Sequence, residues 1–590
     1  MTNSFKVMVV DLGKNKSSLE YFDTRREWIG GSGLAAGLFS QFGLPGEDAF
    51  HPDQPLILAI GPLTGYFPLM SKTILGFMSP YHNQYAESHA GGRSALALKF
   101  AGYDALIVRG KAERPTCVGL GSREVHIQDV HFLKGMDIFK TGKRMRNLKP
   151  TNPGHRSILR IGPAGENLVR YACINVDTYR HFGRMGGGAA MGAKNLKGII
   201  LSGDSHVDLD PDLAKEYNKV YKDIYTTVVQ SGAMRKYHDL GTPENILPLN
   251  ELQALPWRNM QSTHDDNARG ISGEKFGEDQ LLRQVACAGC PVGCIHIGLL
   301  RERFGEEHEY LYRQVSYDYE PIFGVGTMLG VDTAPGVLTL LEDVEKTGLD
   351  AISAGVALAW ATEALQKKVI TREHTLVDLE FGNVQAYREA LDHLTRQTNE
   401  FYQTLARGTM EAAEKFGGED FACVLGQEMA GYATGENYFV SQALGFRHSH
   451  LDTGAYGLDQ EKDSRDIDKA IEYMQDQENY RILMCSMSGC LFGRKAYPQE
   501  NILRALNSLG YDYTKEELDA CVEKIKCHRW ALKFRTGFSP EDVRIPSRYL
   551  EVTTWKGKTD PEYMDNLKKE YQKVLREMAR KHEERQGENQ

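Results

Sequence analysis

Three cysteines crowd into one short stretch of the chain, Cys287-Ala288-Gly289-Cys290-Pro291-Val292-Gly293-Cys294. The glycines and the proline between the thiols disfavour a regular helix or strand, so the stretch is predicted to be an irregular loop that aims three sulfur atoms at one centre. Thiolates grouped in this way bind an iron–sulfur cluster or a structural zinc ion. The chain is therefore expected to fold around a metal centre and to bring a fourth ligand from elsewhere.

The fourth ligand has more than one candidate. Cys485 and Cys490 lie in a segment of small and apolar residues far along the chain. His296 follows Cys294 by two residues and keeps a zinc site open, because zinc sites often add histidine to cysteine at short spacing. The thiol-rich loop favours an iron–sulfur cluster, with zinc as the alternative.

Composition narrows the class of protein. Ten cysteines among 590 residues are too few for a disulfide scaffold, and their clustering indicates metal binding in a reducing compartment. The formal net charge of −9 argues against a nucleic-acid partner. No apolar run approaches the ~18 residues of a membrane helix, and no secretory signal is visible. We therefore expect a cytoplasmic protein without membrane insertion, and one of several domains, since single cores stop growing near ~250–300 residues.

The pattern of apolar residues changes along the chain. Short apolar runs bounded by Gly, Pro or Asp predict strands at 6–12, 55–60, 105–109, 117–120 and 198–201. Apolar residues at three- and four-residue spacing predict helices at 212–227, 334–367 and 371–416, and the charged segment 560–590 predicts a surface helix. The predicted fold class is α+β, with a β-rich domain (1–206) followed by two mainly α-helical domains (207–405 and 406–590). The second domain carries the three-cysteine loop and the third carries the distal cysteine.

Glycine-rich segments suggest anion binding. Adjacent glycines let backbone N–H groups converge on an anion, and a nearby arginine supplies countercharge, which predicts a site for a phosphate-bearing cofactor. The alternative for such a segment is a tight bend packed against a neighbouring strand. The residues concerned form two groups: Arg184, Gly186, Gly187 and Gly188 in one, and Gly91, Gly92 and Arg93 in the other.

Further motifs follow one another in a fixed order over nearly the whole chain. They occupy residues 28–34, 61–65, 98–105, 161–167, 183–199, 255–259, 287–294, 348–353 and 535–538. Together they resemble the aldehyde:ferredoxin oxidoreductase family of tungsten-pterin enzymes. The resemblance implies one [4Fe–4S] cluster, a tungsten or molybdenum atom held by two pyranopterins above the first domain, and a Mg²⁺ ion that bridges the pterin phosphates. The implied cluster ligands are Cys287, Cys290, Cys294 and Cys490.

Carried over residue by residue, the resemblance also implies pterin contacts. Asp350 stands where the family has an aspartate that binds a pterin, and Ala354 follows in the matching position. Cys485 replaces the second such aspartate and lacks a carboxylate. Lys72 takes the place of an arginine between cluster and pterin, and His89 that of an asparagine near the phosphates.

Candidates for proton transfer come from two places. Cys423 and Leu425 align with a family histidine and a pterin-contacting lysine, so that part of the site is rewritten. Glu320 lies in an acidic segment of the family, and a buried carboxylate there would move protons; a turn-capping carboxylate is the alternative. His448 and His450 lie on a loop expected near the cavity, with solvated or structural histidines as the alternative.

The resemblance implies oxidation of an aldehyde to a carboxylate, or the reverse reaction. Electrons would pass through the cluster to ferredoxin or to a dedicated iron–sulfur subunit, and a homodimer partner is a further expectation. The alternative keeps the cofactors but changes the reaction: a catalytic subunit of a reductase complex that acts on a non-aldehyde, such as an aromatic acid or a thioester.

Overall fold

The structure is a computed structural model that describes residues 4–151, 154–306 and 308–587. A first six-stranded sheet has the strand order β2-β1-β6-β3-β4-β5. Its strands are β1 Phe5–Asp11, β2 Lys16–Phe22, β3 Leu56–Ala59, β4 Thr73–Ser79, β5 Gln84–Ala90 and β6 Ala105–Arg109. Only the β1–β6 pair is parallel, as β1–β2, β3–β4, β3–β6 and β4–β5 are antiparallel.

A second six-stranded sheet has the order β11-β10-β9-β12-β7-β8. Its strands are β7 Thr116–Gly121, β8 Val125–Asp129, β9 His155–Arg160, β10 Ile174–Val176, β11 Arg180–Phe182 and β12 Leu196–Gly203. Helices connect and cover the two sheets: α1 Arg25–Trp28, α2 Gly31–Phe42, α3 Ser94–Phe100, α4 Ile138–Met145, α5 Pro163–Glu166 and α6 Gly187–Ala193. The five strands predicted from apolar runs are therefore confirmed.

Helices dominate the rest of the chain. They are α7 Ala214–Gln230, α8 Gly232–Asp239, α9 Ile246–Glu251, α10 Gly273–Asp279, α11 Tyr319–Val325, α12 Ala334–Thr347, α13 Ala351–Gln366, α14 Arg372–Thr375, α15 Val384–Arg396, α16 Glu400–Leu405, α17 Thr409–Phe416, α18 Glu436–Ala443, α19 Ile467–Ser486, α20 Gln499–Asn507, α21 Lys515–Arg535 and α22 Pro561–Gly587. The predicted α+β class, with a β-rich part followed by helical parts, is confirmed. The boundaries 1–206, 207–405 and 406–590 stay a prediction.

The single helix predicted at 334–367 is two helices. Gly348 ends α12 with a left-handed φ of 78°, and Asp350 begins α13 by accepting a hydrogen bond from the backbone N–H of Ile352. The break places the Asp350 carboxylate at the N-terminus of α13. α13 is apolar on every side and almost entirely buried, which is the pattern of a central core helix.

Sequence patterns missed a three-stranded antiparallel sheet. Its strands are β13 Leu281–Val285, β14 Ile295–Arg303 and β15 Tyr310–Tyr317, in the order β13-β14-β15. The three-cysteine loop, residues 287–294 and hereafter the cluster loop, joins β13 to β14. Two short hairpins complete the strands: β16 Val424–Leu425 with β17 Gln427–Glu428, and β18 Thr553–Thr554 with β19 Gly557–Lys558.

Across the described ranges, no single helix is both long and apolar enough to cross a membrane. One pair of helical segments, Tyr319–Leu329 and Ala334–Thr347, meets the length and composition test together but is bent by 109°.

Candidate active site

One cavity of about 330 Å³ brings together half of the candidate residues. Its walls come from β5, β11, the cluster loop, the start of α11, the loop after α18 and the end of α19. Among the predicted site residues, the following line it: Lys72, His89, Arg184, Cys287, Cys290, Cys294, Glu320, His450, Cys485 and Cys490. Residues that lie hundreds of positions apart in sequence therefore face one space.

The segment around Leu69 ties the two cysteine-bearing segments together. The backbone N–H of Leu69 donates to the carbonyl of Gly289 in the cluster loop at 3.3 Å, and the N–H of Cys490 donates to the carbonyl of Leu69 at 3.0 Å. A side chain at Gly61 would overlap the backbone of Met487, so glycine permits this close approach. The distal cysteine is thus held by backbone contacts opposite the cluster loop.

Cys287 receives a backbone hydrogen bond. The N–H of Gly92 donates to the Cys287 Sγ at 3.2 Å. A Cβ atom at Gly91 would lie 2.8 Å from the same sulfur, 3.6 Å from Nζ of Lys72 and 3.6 Å from Nε of Arg180. Gly91 and Gly92 therefore meet the cluster loop directly, and two cations surround the same point.

The thiols of Cys290 and Cys294 are partly buried, and the charges of neighbouring cysteines affect their pKa values. Burial raises the pKa of the Cys290 and Cys294 thiols to about 12, and the charges of Cys490 and Cys287 act in the same direction. Burial also raises the pKa of Cys485, where the charged groups that act on it are Arg447, Glu87, Arg529 and Lys72 rather than another cysteine. Of the two distal thiols, Cys490 is thus the one whose charge acts on the cysteines of the cluster loop.

His296 faces away from the thiols. Its Nε2 lies 3.0 Å from the carbonyl oxygen of His238 and 3.2 Å from that of Asp239, and its Nδ1 lies 3.2 Å from the carbonyl oxygen of Cys294. Within the ranges that the structure describes, no three His, Cys, Asp or Glu side chains converge closely enough to hold one metal ion. The thiols surround a space rather than a single point.

Glu320 and His450 form a pair on the cavity wall. Nε2 of His450 lies 3.1 Å from Oε1 of Glu320, and the Tyr432 hydroxyl donates to the same oxygen at 3.0 Å. Burial acts to raise the pKa of Glu320, but the hydrogen bond and charge of His450 outweigh it and hold that pKa below its ordinary value. The ring of Tyr456 stacks on Tyr432 at 4.6 Å between centroids and fixes its orientation.

Asp318 adds a second carboxyl group two residues before Glu320. It begins α11, accepting hydrogen bonds from the backbone N–H of Tyr319 and from the Thr242 hydroxyl. Burial, with the charge of Glu320, raises the pKa of Asp318 to about 7. Near neutral pH the cavity therefore holds one ionised carboxylate and one carboxyl group that exchanges its proton readily.

A second cavity of about 210 Å³ shares Arg180, Gly183, Arg184 and Asp318 with the first. Asp350 lies on its wall, where Arg184 Nε donates to the Asp350 Oδ2 at 3.2 Å and the Ser353 hydroxyl donates to the same oxygen at 2.5 Å. Arg184 also donates through Nη2 to the carbonyl of Glu428 at 2.7 Å. Asp350 and Arg184, predicted separately, thus form one ion pair between the two cavities.

His89 lies in a buried network of charges. Its Nε2 is 3.3 Å from Oε2 of Glu87, and its Nδ1 is 3.2 Å from Nη1 of Arg447 and 3.5 Å from the Cys485 Sγ. Glu87 is paired with Arg529 through two contacts of 2.7 and 3.2 Å. Burial, together with the charge of Arg447, lowers the pKa of His89 to about 4, so the imidazole is neutral.

The other predicted cofactor residues lie off the cavity walls. Gly186, Gly187 and Gly188 begin α6, and side chains there would meet the backbone of Arg170, the side chain of Leu75 and the backbone of Cys173. Ala354 is fully buried in α13, one turn after Asp350. Arg93 is exposed and paired with Asp177 at 3.4 Å.

Three other residues that the sequence singled out, His448, Cys423 and Leu425, line neither cavity. His448 is buried, its Nδ1 lies 2.9 Å from the carbonyl of Ala443, and its Nε2 lies 3.2 Å from Nζ of Lys533. Burial and the charge of Lys533 hold the pKa of His448 well below its ordinary value. Cys423 and Leu425 are fully buried in the core, and neither lines either cavity. Of the two histidines predicted to transfer protons, His448 and His450, only His450 lines the cavity.

Sequence reasoning missed four residues of the site. Arg180 and Asp318 lie inside segments that the sequence had marked, four residues before Arg184 and two before Glu320. Arg447 likewise directly precedes His448 in the marked histidine segment, whereas Tyr432 reaches the cavity from a loop that no spacing pattern connects to the rest.

Comparison with known proteins agrees with the fold and with the order of the motifs. The model of the aldehyde ferredoxin oxidoreductase N-terminal domain matches residues 7–203, and the model of domains 2 and 3 matches residues 219–580. The tungsten-containing aldehyde ferredoxin oxidoreductase of Pyrococcus furiosus is 29% identical over 577 residues, which cover 92% of this chain and 90% of the relative.

Two further similar proteins are named for reactions other than aldehyde oxidation. The WOR-like subunit of aliphatic sulfonate oxidoreductase from Pyrococcus furiosus is 31% identical over 433 residues, 70% of this chain and 67% of that relative. The solved active-site complex BamBC of benzoyl coenzyme A reductase with 1,5-dienoyl-CoA has a similar fold. Its TM-score is 0.80 with 21% identity, over 97% of this chain and 95% of that one. Because the two family models together span most of the sequence, this chain belongs to the aldehyde ferredoxin oxidoreductase family.

Proposed function

We propose that this chain is a tungsten- or molybdenum-pterin oxidoreductase. It oxidises an aldehyde to a carboxylate, or runs the reverse reaction, and passes electrons through a [4Fe–4S] cluster to ferredoxin or a dedicated iron–sulfur subunit. The observation that carries the proposal is one cavity lined both by the four thiols and by the Glu320–His450 pair. A redox relay and a proton-transfer pair within one enclosed space suit a coupled transfer of electrons and protons.

The thiols fit a cluster. Cys287, Cys290, Cys294 and Cys490 line a space without converging on one ion position, and backbone N–H donation to a sulfur, as from Gly92 to Cys287, is typical of cluster environments. His296 is turned toward backbone carbonyls, so it supplies no zinc ligand. These observations support iron–sulfur over zinc.

The walls also fit an anionic, hydrogen-bonding cofactor. Buried polar atoms without a hydrogen-bond partner in the described structure include Arg180 Nε, Arg184 Nη1 and His450 Nδ1. Lys72, Arg184 and Arg447 supply positive charge on the same walls. Lys72, His89, Arg184, Asp350 and Cys485 would hold the pterins, and a Mg²⁺ ion would accompany the pterin phosphates, as the family resemblance implies. When bound, the metal–pterin group supplies the two-electron exchange with substrate, and the cluster passes the electrons on singly.

Side chains of the cavity would accept and transfer the protons that the reaction releases. Aldehyde oxidation by water releases protons as well as electrons, so a base must stand beside the reacting carbon. Glu320 is ionised near neutral pH, because His450 and Tyr432 stabilise its carboxylate. It can accept a proton and share it with His450. Asp318, with a pKa of about 7, can exchange protons within the same cavity.

An activity panel tests the proposal. Anaerobically prepared native protein is offered aliphatic and aromatic aldehydes, with an artificial viologen acceptor and with reduced ferredoxin for the reverse direction. We expect aldehyde-dependent viologen reduction that is lost in Glu320→Gln. Protein that carries its metals but turns over no aldehyde in either direction contradicts the proposed reaction.

A second candidate function is a subunit of a complex that acts on a non-aldehyde. The 31% identity to the WOR-like subunit of an aliphatic sulfonate oxidoreductase favours it, since that relative is itself named as a subunit. The same panel, extended to sulfonates, aromatic acids and thioesters, separates the two candidates by which class gives turnover.

The electron acceptor is proposed to dock near the cluster loop. The loop joins β13 to β14, and one face of this three-stranded sheet extends away from the loop to exposed Arg301 and Tyr312, which pair between β14 and β15 six residues along β14 from its first residue. Arginine and tyrosine are enriched at protein interfaces, and the positive charge suits an acidic ferredoxin.

A further inference from the structure

Arg180 is a half-buried arginine on the cavity wall, and its Nε is buried without a hydrogen-bond partner in the described structure. It begins β11, and its side chain lies on the walls of both cavities. The guanidinium faces these cavities, and among the described carboxylates none forms an ion pair with it within 4.0 Å. An arginine in such a position is costly unless it faces a negative charge that the protein atoms alone do not provide.

The surroundings of Arg180 indicate where that negative charge belongs. Nε of Arg180 lies 3.6 Å from the Cβ position at Gly91, and the Cys287 sulfur lies 2.8 Å from the same position. Burial lowers the pKa of Arg180, but the charges of Cys287, Cys294, Asp318 and Cys490 outweigh it and raise the pKa above its ordinary value. Three of these four groups are cluster cysteines.

We propose that Arg180 is a positioning residue that sets the reduction potential of the cluster by offsetting the charge of its thiolates. The inference rests on the proposed function, because it requires a [4Fe–4S] cluster on the four cysteines. The reduced cluster carries one more negative charge than the oxidised cluster, so a fixed cation nearby stabilises the reduced state and raises the potential. Lys72 stands at the same point, so the two cations share this role.

Redox titration followed by electron paramagnetic resonance tests the inference without any substrate. The native full-length protein is compared with Arg180→Gln and Arg180→Lys, all prepared anaerobically with iron measured in each. We expect Arg180→Gln to shift the reduction equilibrium at least tenfold toward the oxidised cluster, about 59 mV to lower potential, while Arg180→Lys shifts it much less. Equal potentials in native protein and Arg180→Gln, at equal iron content, overturn the inference.

A matched control shows whether the cluster potential depends on Arg180 in particular or on the loss of any nearby positive charge. Arg283 is exposed, lies four residues before Cys287 and donates to Gln314 at 2.9 Å. Because solvent screens its charge, Arg283→Gln is expected to shift the potential less than Arg180→Gln does. Equal shifts in the two variants count against a specific role for Arg180.

If Arg180→Gln loses the cluster, a second variant, Arg180→His, still tests the inference. In Arg180→His the introduced charge is titratable, so the cluster potential is expected to be higher at pH 6 than at pH 8, with a steeper dependence on pH than in native protein. The same dependence in both proteins overturns the inference. Native protein that contains no iron and shows no cluster signal refutes the proposed function itself, which distinguishes that failure from a failure of this inference alone.

Discussion

The Glu320 carboxylate lies 3.1 Å from Nε2 of His450, on the wall of the cavity that the cluster cysteines also line. If this pair transfers the substrate protons, Glu320→Gln removes the base and keeps the shape of the side chain. We expect kcat for aldehyde oxidation to fall by roughly 10²-fold or more, with iron content unchanged. Steady-state kinetics with a viologen acceptor measure it.

An exposed pair of the same type provides the control. His264 and Asp266 lie 3.3 Å apart on the surface. Asp266→Asn is expected to leave kcat unchanged. Equal rates in native protein and Glu320→Gln would show that another group moves the proton.

The cluster ligands predict a loss of iron on single substitution. Cys290→Ala removes one thiol of the cluster loop, so the protein is expected to lose its brown colour and most of about four irons per chain. Cys117 is buried within β7 and does not line the cavity, so Cys117→Ala is expected to keep the full iron content. Retention of all iron in Cys290→Ala would remove this residue from the ligand set.

Lys533 predicts a dependence of stability on pH. Burial lowers its pKa from 10.5 to about 7, so between these values the folded protein binds fewer protons here than the unfolded chain does. The free energy of unfolding therefore rises with pH across this window, by up to ~1.4 kcal/mol per unit. In Lys533→Met this contribution is absent, so the Tm of the native protein minus the Tm of the variant is expected to increase from pH 7.5 to pH 9.5.

Calorimetry on both proteins checks this. Lys140 is exposed on α4, and Lys140→Met is expected to show a gap that does not change with pH. A constant gap for Lys533→Met as well would mean that Lys533 is not shifted in the folded protein.

The exposed face of the β13-β14-β15 sheet predicts that electron transfer to the acceptor depends on ionic strength. Arg301 lies over the ring of Tyr310 at 3.8 Å, and Tyr312 is 62% exposed. Arg301→Glu is expected to raise the KM for an acidic ferredoxin several-fold at low ionic strength, with the KM for a viologen unchanged. Arg372→Glu, a charge reversal on α14, is the control. Ferredoxin kinetics that ignore both ionic strength and Arg301→Glu would place the docking surface elsewhere.

Local sequence predicted five of the twelve strands of the first two sheets, because the apolar runs of these five are buried and bounded by turn-forming residues. It missed β13 and β15, since both strands are half exposed and carry polar residues such as Arg283, Gln284 and Gln314. The break at Gly348–Asp350 was hidden by apolar residues on both sides.

The candidate site shows a similar division. Glu320, Asp350 and the cysteines lie in segments with a recognisable pattern; Glu320 and the four cysteines line one cavity, and Asp350 lines the second cavity, which shares Arg180 and Arg184 with the first. The i, i+2 spacing of His448 and His450 predicted a shared side of an extended segment. His448 instead adopts a left-handed φ of 50° in a turn, so the two rings diverge: His448 meets Lys533, and His450 meets Glu320. Contacts between distant loops of this kind leave no trace in local spacing.

Metal analysis of the native protein, purified without oxygen, tests the central claim most directly. The account predicts about four irons per chain, an electron paramagnetic resonance signal of a reduced [4Fe–4S] cluster, and tungsten or molybdenum near one atom per chain with twice as many pterins. Stoichiometric zinc without iron, or iron without tungsten and molybdenum, would contradict it.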